Sequence, residues 1–343
     1  HTIFLGLVIG IICIICGFFF GDRFIEAQGA DAETVEVALD YFYIIAGGSI
    51  FMVLAIFFRS ILSGEGDVIF PMKVLAFGTV LNIILDPIFI YYYEIAGAAI
   101  ATVISQALVT LVFIYYLLFR QRSYVTFNLK SFTYNFDIIR DIFRLGLPAS
   151  LSMIIMSIGM MLFNRILGSS QAVAAYQTAG RIEHLFFLPI ISIATSLVTL
   201  VGMFYGAKRM DLISQMVKYG ITWAVIISFL FSLLFFFFAE IFIPIFIEDS
   251  QIINLTMQYF KIMAFAYPFV AIGMTSSRIM QGMGHANPLL ILTLLRVVII
   301  AASLAWYFVN ILNWPVHYAW VGTLISCIIT SFVALTWLWI IIR

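Results

Sequence analysis

Ionisable and oxygen-bearing side chains are scarce in this sequence, so the few that fall inside apolar runs carry most of the information. The densest group is Asn82-Ile83-Ile84-Leu85-Asp86-Pro87. Asn82 and Asp86 are four residues apart, which puts both side chains on one face of a helix. Pro87 has no N–H, so the carbonyl of Ile83 loses its helical partner between those two side chains. An amide oxygen, a carboxylate and a freed backbone oxygen then lie at one depth. The following apolar run opens with Gly97-Ala98-Ala99-Ile100-Ala101-Thr102, where small residues allow close helix approach and Thr102 adds a hydroxyl at similar depth. Hard oxygen ligands suit a small alkali cation, and a carboxylate in low-dielectric surroundings readily holds a proton. Asn82, Asp86 and Thr102 are therefore cation-binding candidates. The plainer alternative is a solvated or capping Asp86 near the membrane surface beside an Asn82 that only packs.

Three further residues join this set. Tyr41 falls at a depth from which it could reach Asp86. Gln106 lies one turn beyond Thr102 and would face the same interior, which makes it a candidate for the substrate path. Glu183 sits with Arg181 and His184 inside an apolar run; it either binds a cationic substrate or a proton, or is compensated by Arg181 or by a neighbouring helix. Arg165 and Arg296 read as snorkelling or paired helix residues.

The elements that must position these groups follow from composition. The 343 residues are 64% hydrophobic and only 10% charged, with mean hydropathy +1.13. A soluble domain carries roughly a quarter charged residues, so this is a membrane protein. Ten apolar stretches are each long enough to span as a helix: 2–20, 35–62, 69–93, 96–119, 146–166, 172–205, 214–238, 254–280, 288–311 and 319–342. A β-barrel needs alternation, whereas Ile227 to Phe238 is apolar on every side. Seventeen basic against seventeen acidic residues leave no footprint for nucleic acid. Cys13, Cys16 and Cys327 all sit in apolar runs, which argues for helix packing over disulfides or metal.

Charge placement sets an orientation. With ten alternating spans, Arg59, Lys73, Arg120, Arg122, Lys130, Arg140, Arg144, Lys208, Arg209, Arg278 and Arg343 fall on one side. Asp22, Glu26, Asp31, Glu33, Glu94, Glu248 and Asp249 fall on the other, with Arg23 the main exception. Positive residues mark the cytoplasm, so both ends of this chain are expected there, in a multi-pass protein of the plasma or inner membrane.

The chain also repeats itself. A gapless shift of 218 residues lays Phe18-Phe19-Phe20 on Phe236-Phe237-Phe238, Tyr41-Phe42 on Tyr259-Phe260, and Gly64-x-Gly66 on Gly282-x-Gly284. Three residues of slippage later, Thr102 and Ser105 meet Thr323 and Ser326. The recurrence of Tyr41 as Tyr259 favours a structural role for it. Both copies run the same way across the membrane, so the repeat axis lies along the membrane normal. The second copy has two helices ahead of the aligned region and the first has none, so about 75 to 80 residues are expected ahead of His1 in a parent of twelve helices, six plus six. The resulting division is a partial first lobe of four helices at 1–119, a cytoplasmic linker at 120–140, and a six-helix second lobe at 141–343.

Certain chemistries have no motif. The nearest string to a phosphate loop, Gly202-Met-Phe-Tyr-Gly206-Ala-Lys208-Arg209, has the wrong spacing. No His-Glu-x-x-His, Gly-x-Ser-x-Gly or clustered Asp, His and Ser set supports an enzyme. No cofactor is expected.

Arg59-Ser-Ile-Leu-Ser-Gly64-Glu-Gly66-Asp67, Pro71-Met72, Gly78, Asn82, Leu85-Asp86-Pro87 and Gly97 to Thr102 together resemble the first lobe of the multidrug and toxic compound extrusion (MATE) transporters. Arg144-Leu-Gly-Leu-Pro148-Ala, Ala179-Gly-Arg181-Ile-Glu183, Gly202-x-x-x-Gly206-Ala-Lys and Gln281-Gly282-x-Gly284 resemble the second. The resemblance implies an all-α polytopic fold, internally duplicated, in which this chain is similar to helices three to twelve. It further implies an antiporter that exchanges Na+ or H+ for small organic, often cationic or aromatic, compounds as two lobes rock in the bilayer, working as a monomer. The family's Asn-x-x-x-Asp-Pro motif and a Thr on the next helix match Asn82, Asp86 and Thr102. That site also uses an Asp on the family's first helix, which lies outside this chain, and the loop from Asp86 to Thr102 is about two residues shorter than the family's pattern. Two rival readings are a lipid-linked oligosaccharide flippase of the same superfamily, which would line its cavity with basic residues, and an integral membrane enzyme.

Overall fold

The structure is a computed structural model that describes residues 1–26, 32–118 and 133–343. Asp31, Arg120, Arg122 and Lys130, used above for orientation, lie outside the described residues, as does most of the expected linker. Among the described residues every regular element is helical. The chain divides into two compact units, His1–Ile139 and Arg140–Arg343.

The first unit contains α1 (Thr2–Glu26), α2 (Ala32–Gly64) and α3 (Ile69–Leu118). On α1, Gly6, Gly10, Gly17 and Gly21 recur at four- and seven-residue spacing and so form one stripe. All four face α2: a Cβ on Gly10 would lie 2.9 Å from Ile50 and one on Gly17 2.6 Å from the Ala46 methyl. With lipid outside, such close approach replaces hydrophobic exclusion as the source of helix association. The core of the unit is Leu54, Ala55, Phe58 and Leu62 of α2 against Val74, Val109, Phe113 and Leu117 of α3.

The two expected spans at 69–93 and 96–119 are one 50-residue helical stretch, α3, interrupted at Glu94, whose backbone (φ 50, ψ −129) is not helical. At 1.5 Å per residue an unbroken helix of that length would run about 75 Å, more than twice the hydrocarbon thickness. The chain turns back instead. Gly97 lies directly against the Phe89 carbonyl, and Gly78 against Val109. Residues eight apart in a straight helix are about 12 Å apart, so the first contact requires a hairpin.

The second unit contains α4 (Phe136–Leu167), α5 (Ser170–Gly206), α6 (Met210–Phe246), α7 (Ser250–Met263), α8 (Tyr267–Gly282), α9 (Asn287–Ile311) and α10 (His317–Ile342). The first turn of α4 begins before residue 140, inside the stretch expected as linker. The expected single span 254–280 is a pair, α7 and α8, bent by 62°. Pro268, at the start of α8, lacks the N–H that a continuous helix would need, while its fixed φ suits a first turn. Among the described residues eight helices are long and apolar enough to cross a bilayer, and the bent pair adds a ninth candidate. Counting the two arms of α3 separately returns the ten stretches read from the sequence. Within α9, Leu295–Ala302 and Tyr307–Ile311 are π-helical. The buried side of α5 reads Ala172, Ala175, Ala179, Ile182, Ile190, Ala194, Leu197 and Val201, the three-to-four spacing of a helix face. Phe235 stacks on Phe260 at 4.4 Å in the largest apolar cluster, which also holds Tyr267 and Trp320.

The duplication is visible in backbone detail. Gly66 and Gly284 adopt φ 89 and 86, the left-handed conformation that glycine takes without a Cβ penalty. In the first copy Gly66 N–H donates to Ser63 and Asp67 N–H to Leu62; in the second Gly284 donates to Gln281 and His285 to Met280. The same pair of bonds therefore closes the same helix end in each copy. Thr102 and Thr323 likewise bond back to the carbonyls of Ala98 and Ala319.

Candidate functional site

Asn82 and Asp86 meet as their spacing requires: Asn82 Nδ2 donates to Asp86 Oδ1 at 3.0 Å, and both side chains are half-buried. The helix continues through Pro87. Thr102 stands on the returning arm of α3. The contacts of Gly97 with Phe89 and of Gly78 with Val109 fix the register of the two arms. In that register Thr102 is level with Ile84 or Leu85, between Asn82 and Asp86 in depth. The hydroxyl of Thr102 donates to the Ala98 carbonyl at 2.9 Å, which leaves its lone pairs available. Gln106, half-buried, follows one turn further along the same arm. Sequence reasoning gave Ser105 no role, yet its hydroxyl is 1% exposed and has no hydrogen-bond partner among the described residues. A buried hydroxyl without a partner is costly, so this second oxygen beside Thr102 is worth noting.

Tyr41 is not brought to this group in any contact. It is 38% exposed and makes no hydrogen bond among the described residues. Two residues on, Tyr43 donates to Asp22 of α1 and stacks on Phe18 at 5.3 Å. The signal for that pair was available, since Asp22 and Tyr43 bracket the α1–α2 turn. Asp67 is also structural: it accepts from the Phe70 N–H at 3.1 Å and from Tyr116 at 3.3 Å, so it caps α3.

Of the readings open for Glu183, compensation by Arg181 is not what the structure shows. Residues two apart on a helix do not face each other. Arg181 and His184 are exposed, and Glu183 instead accepts a 2.7 Å hydrogen bond from Tyr267 of α8. Tyr259 and Arg296 also interact with its carboxylate. Tyr259 and Tyr267 are buried, at 4% and 1% exposure, and Tyr259 packs against Tyr176 of α5 and Trp320. The Ser326 hydroxyl donates to the Arg296 carbonyl within the π-helical part of α9, where the ladder is displaced by a residue. Removing one donor from a buried carboxylate costs about 1–3 kcal/mol. Tyr267→Phe should lower the thermal midpoint of the purified protein by several degrees, and Glu183→Gln with Tyr267→Phe should be less destabilised than the sum of the two singles.

Cys13, Cys16 and Cys327 are free thiols. The first two are exposed on α1 among the described residues, and Cys327 is buried. No cluster of three His, Cys, Asp or Glu residues suited to a metal occurs among the described residues.

Among the described residues, eight or nine helices long and apolar enough to cross a membrane, with matched turns in the two copies of the repeat, define a polytopic α-helical membrane protein with internal duplication. The family description MatE matches residues 1–88 and 148–307, and the chain belongs to that family. Among curated relatives it is 26% identical over 310 residues to "Probable multidrug resistance protein NorM" of Thermotoga maritima, covering 88% of this chain and 66% of that protein. It is 26% identical over 303 residues to "Multidrug export protein MepA" of Staphylococcus saprophyticus, covering 87% and 67%. The chain thus spans about two thirds of the length of the curated relatives it matches. Among solved structures it superposes with TM-score 0.95 and 30% identity on an "outward-facing conformation of a multidrug resistance MATE family transporter of the MOP superfamily", covering 100% of this chain and 77% of that one. A MOP superfamily transporter from Pyrococcus furiosus, described as having a binding pocket of reverse polarity that suggests a different function, matches with TM-score 0.95, 29% identity and the same coverage.

Proposed function

We propose that this chain works in a cation-coupled antiporter that exports small organic, often cationic or aromatic, compounds by alternating access of two lobes, with both ends of the chain in the cytoplasm. Family membership and relatives named as multidrug resistance and multidrug export proteins support export of such compounds. The observation that carries the coupling is the Asn82–Asp86 hydrogen bond, level with Thr102. An ionisable group kept in a span is costly, and among the described residues this one has the neutral Asn82 amide as its partner and no counter-ion. Asp86 holds Na+ or H+ in one state and releases it as substrate binds in the other; differential affinity between the two states drives the exchange.

The test uses the full-length protein in vesicles loaded with a fluorescent organic cation. An inward step of sodium or of protons is expected to trigger dye release. If neither does, and a lipid-linked oligosaccharide crosses the membrane instead, the flippase reading replaces this one.

A further inference from the structure

A groove of about 890 Å³ runs between α4 and α9 within the second unit. The two helices are parallel there. Gly159 contacts Val297, and Phe163 and Leu167 share a cluster with Ala301, Ala302 and Ala305, so both chains advance in the same direction along the groove. That direction leads away from the Lys208–Arg209 turn, towards the side read as external.

The lower part of the groove is apolar, lined by Leu162, Val298 and Ala302; Arg165, level with Ser303 in the register set by Gly159 and Val297, stands midway, and Trp306, Tyr307 and Asn310 line the part towards the end of α9. From Val298 to Asn310 is twelve residues, roughly 18 Å of helix, close to the hydrocarbon depth of one leaflet. Trp and Tyr gather where headgroups meet acyl chains, and here Trp314 and Tyr318 continue the belt beside them. Arg165 is exposed to the groove and makes no ion pair or hydrogen bond among the described residues. A guanidinium at this depth wants an anion with several oxygens, which a phosphate provides in bidentate geometry.

From this geometry we infer that the α4–α9 groove holds one anionic glycerophospholipid of the outer leaflet, its phosphate on Arg165 and its acyl chain along Leu162, Val298 and Ala302. The apolar floor below Arg165, about 8 Å of helix from Val298 to Ser303, selects a lipid over free phosphate. Only the choice of leaflet rests on the proposed orientation; the site itself does not depend on the transport reading.

The full-length protein in non-ionic detergent is titrated with dioleoylphosphatidylglycerol or dioleoylphosphatidylcholine and observed by native mass spectrometry. One retained phosphatidylglycerol adduct is expected, with about tenfold preference over phosphatidylcholine. Arg165→Gln should abolish the preference and Arg165→Lys should keep part of it; Arg165 is exposed, so folding is preserved, which a size-exclusion profile checks. Trp306→Ala should weaken the adduct with its charge preference intact. Millimolar inorganic phosphate should not displace the lipid. The inference is overturned if wild type and Arg165→Gln bind phosphatidylglycerol equally, if phosphate or the fluorescent cation displaces it, or if the groove is closed by a second copy in a lipid-free dimer. Dye efflux can survive any of those results, so the two readings fail separately.

Discussion

Asp86→Asn in the full-length protein is expected to insert and fold as wild type does, yet to lose dye release driven by sodium or protons. The substituted amide is nearly the same shape, and its oxygen can still accept from Asn82 Nδ2, so the 3.0 Å contact and the helix face around it survive. What disappears is the charge. A neutral amide neither takes up a proton in the working range nor compensates a sodium ion in a low-dielectric site. Coupling free energies of this kind are typically about 1–3 kcal/mol, so the effect of the cation on dye affinity, on the order of 5- to 150-fold, should be lost with the charge. Asn82→Ala should give an intermediate loss, because the carboxylate stays and only its orienting donor goes. Wild-type, cation-dependent efflux by a well-folded Asp86→Asn protein would sink the role. A milder result, in which dye binding persists without release, is the expected signature of a site whose two states no longer differ in affinity.

Much of this arrangement is legible in the amino-acid order. The period-four placement of Asn82 and Asp86 requires a shared helix face, and the hydrogen bond follows from it. The repeated Gly-x-Gly strings imply repeated turns, and the left-handed Gly66 and Gly284 supply them. Other features depend on contacts that no local pattern encodes. Arg181 is the nearest opposite charge to Glu183 in sequence, but a helix turns them apart and tertiary packing supplies Tyr267 instead, 84 positions away. The break between α7 and α8 was marked only by Pro268 inside a run apolar enough to pass as one span. The reversal at Glu94 falls between these cases: the charge marks a boundary, whereas the tightness of the hairpin becomes evident only through Gly97.

That hairpin carries the largest expected effect on stability. Gly97→Ala places a methyl group against the Phe89 carbonyl and the Ile90 nitrogen, both backbone atoms that cannot rotate aside. In an ordinary helix the same exchange gains up to about 1 kcal/mol, because alanine is the better helix former. Here the clash must open the two arms of α3, and overpacking of this sort costs about 1–3 kcal/mol, more where rigid backbone is the obstacle. Gly47→Ala, on α2 with nothing within 4 Å of the added methyl, gives the baseline and should be neutral or slightly stabilising. Gly48→Ala falls between, since its neighbour Val103 is a side chain with some freedom to shift. The ordering of thermal midpoints, Gly47→Ala above Gly48→Ala above Gly97→Ala, is checked by fluorescence-detected size exclusion after heating. Equal midpoints for the first and last would mean that the arms are not held by the Gly97 contact. The same substitution should also impair coupling in whatever fraction folds, because the register that sets Thr102 between Asn82 and Asp86 is fixed by that contact and by Gly78 against Val109. Restoring room at Phe89 cannot rescue it, as the obstacle is the main chain itself. Gly78→Ala meets only the Val109 side chain, so shortening that residue as well, in Gly78→Ala with Val109→Ala, should recover most of any loss.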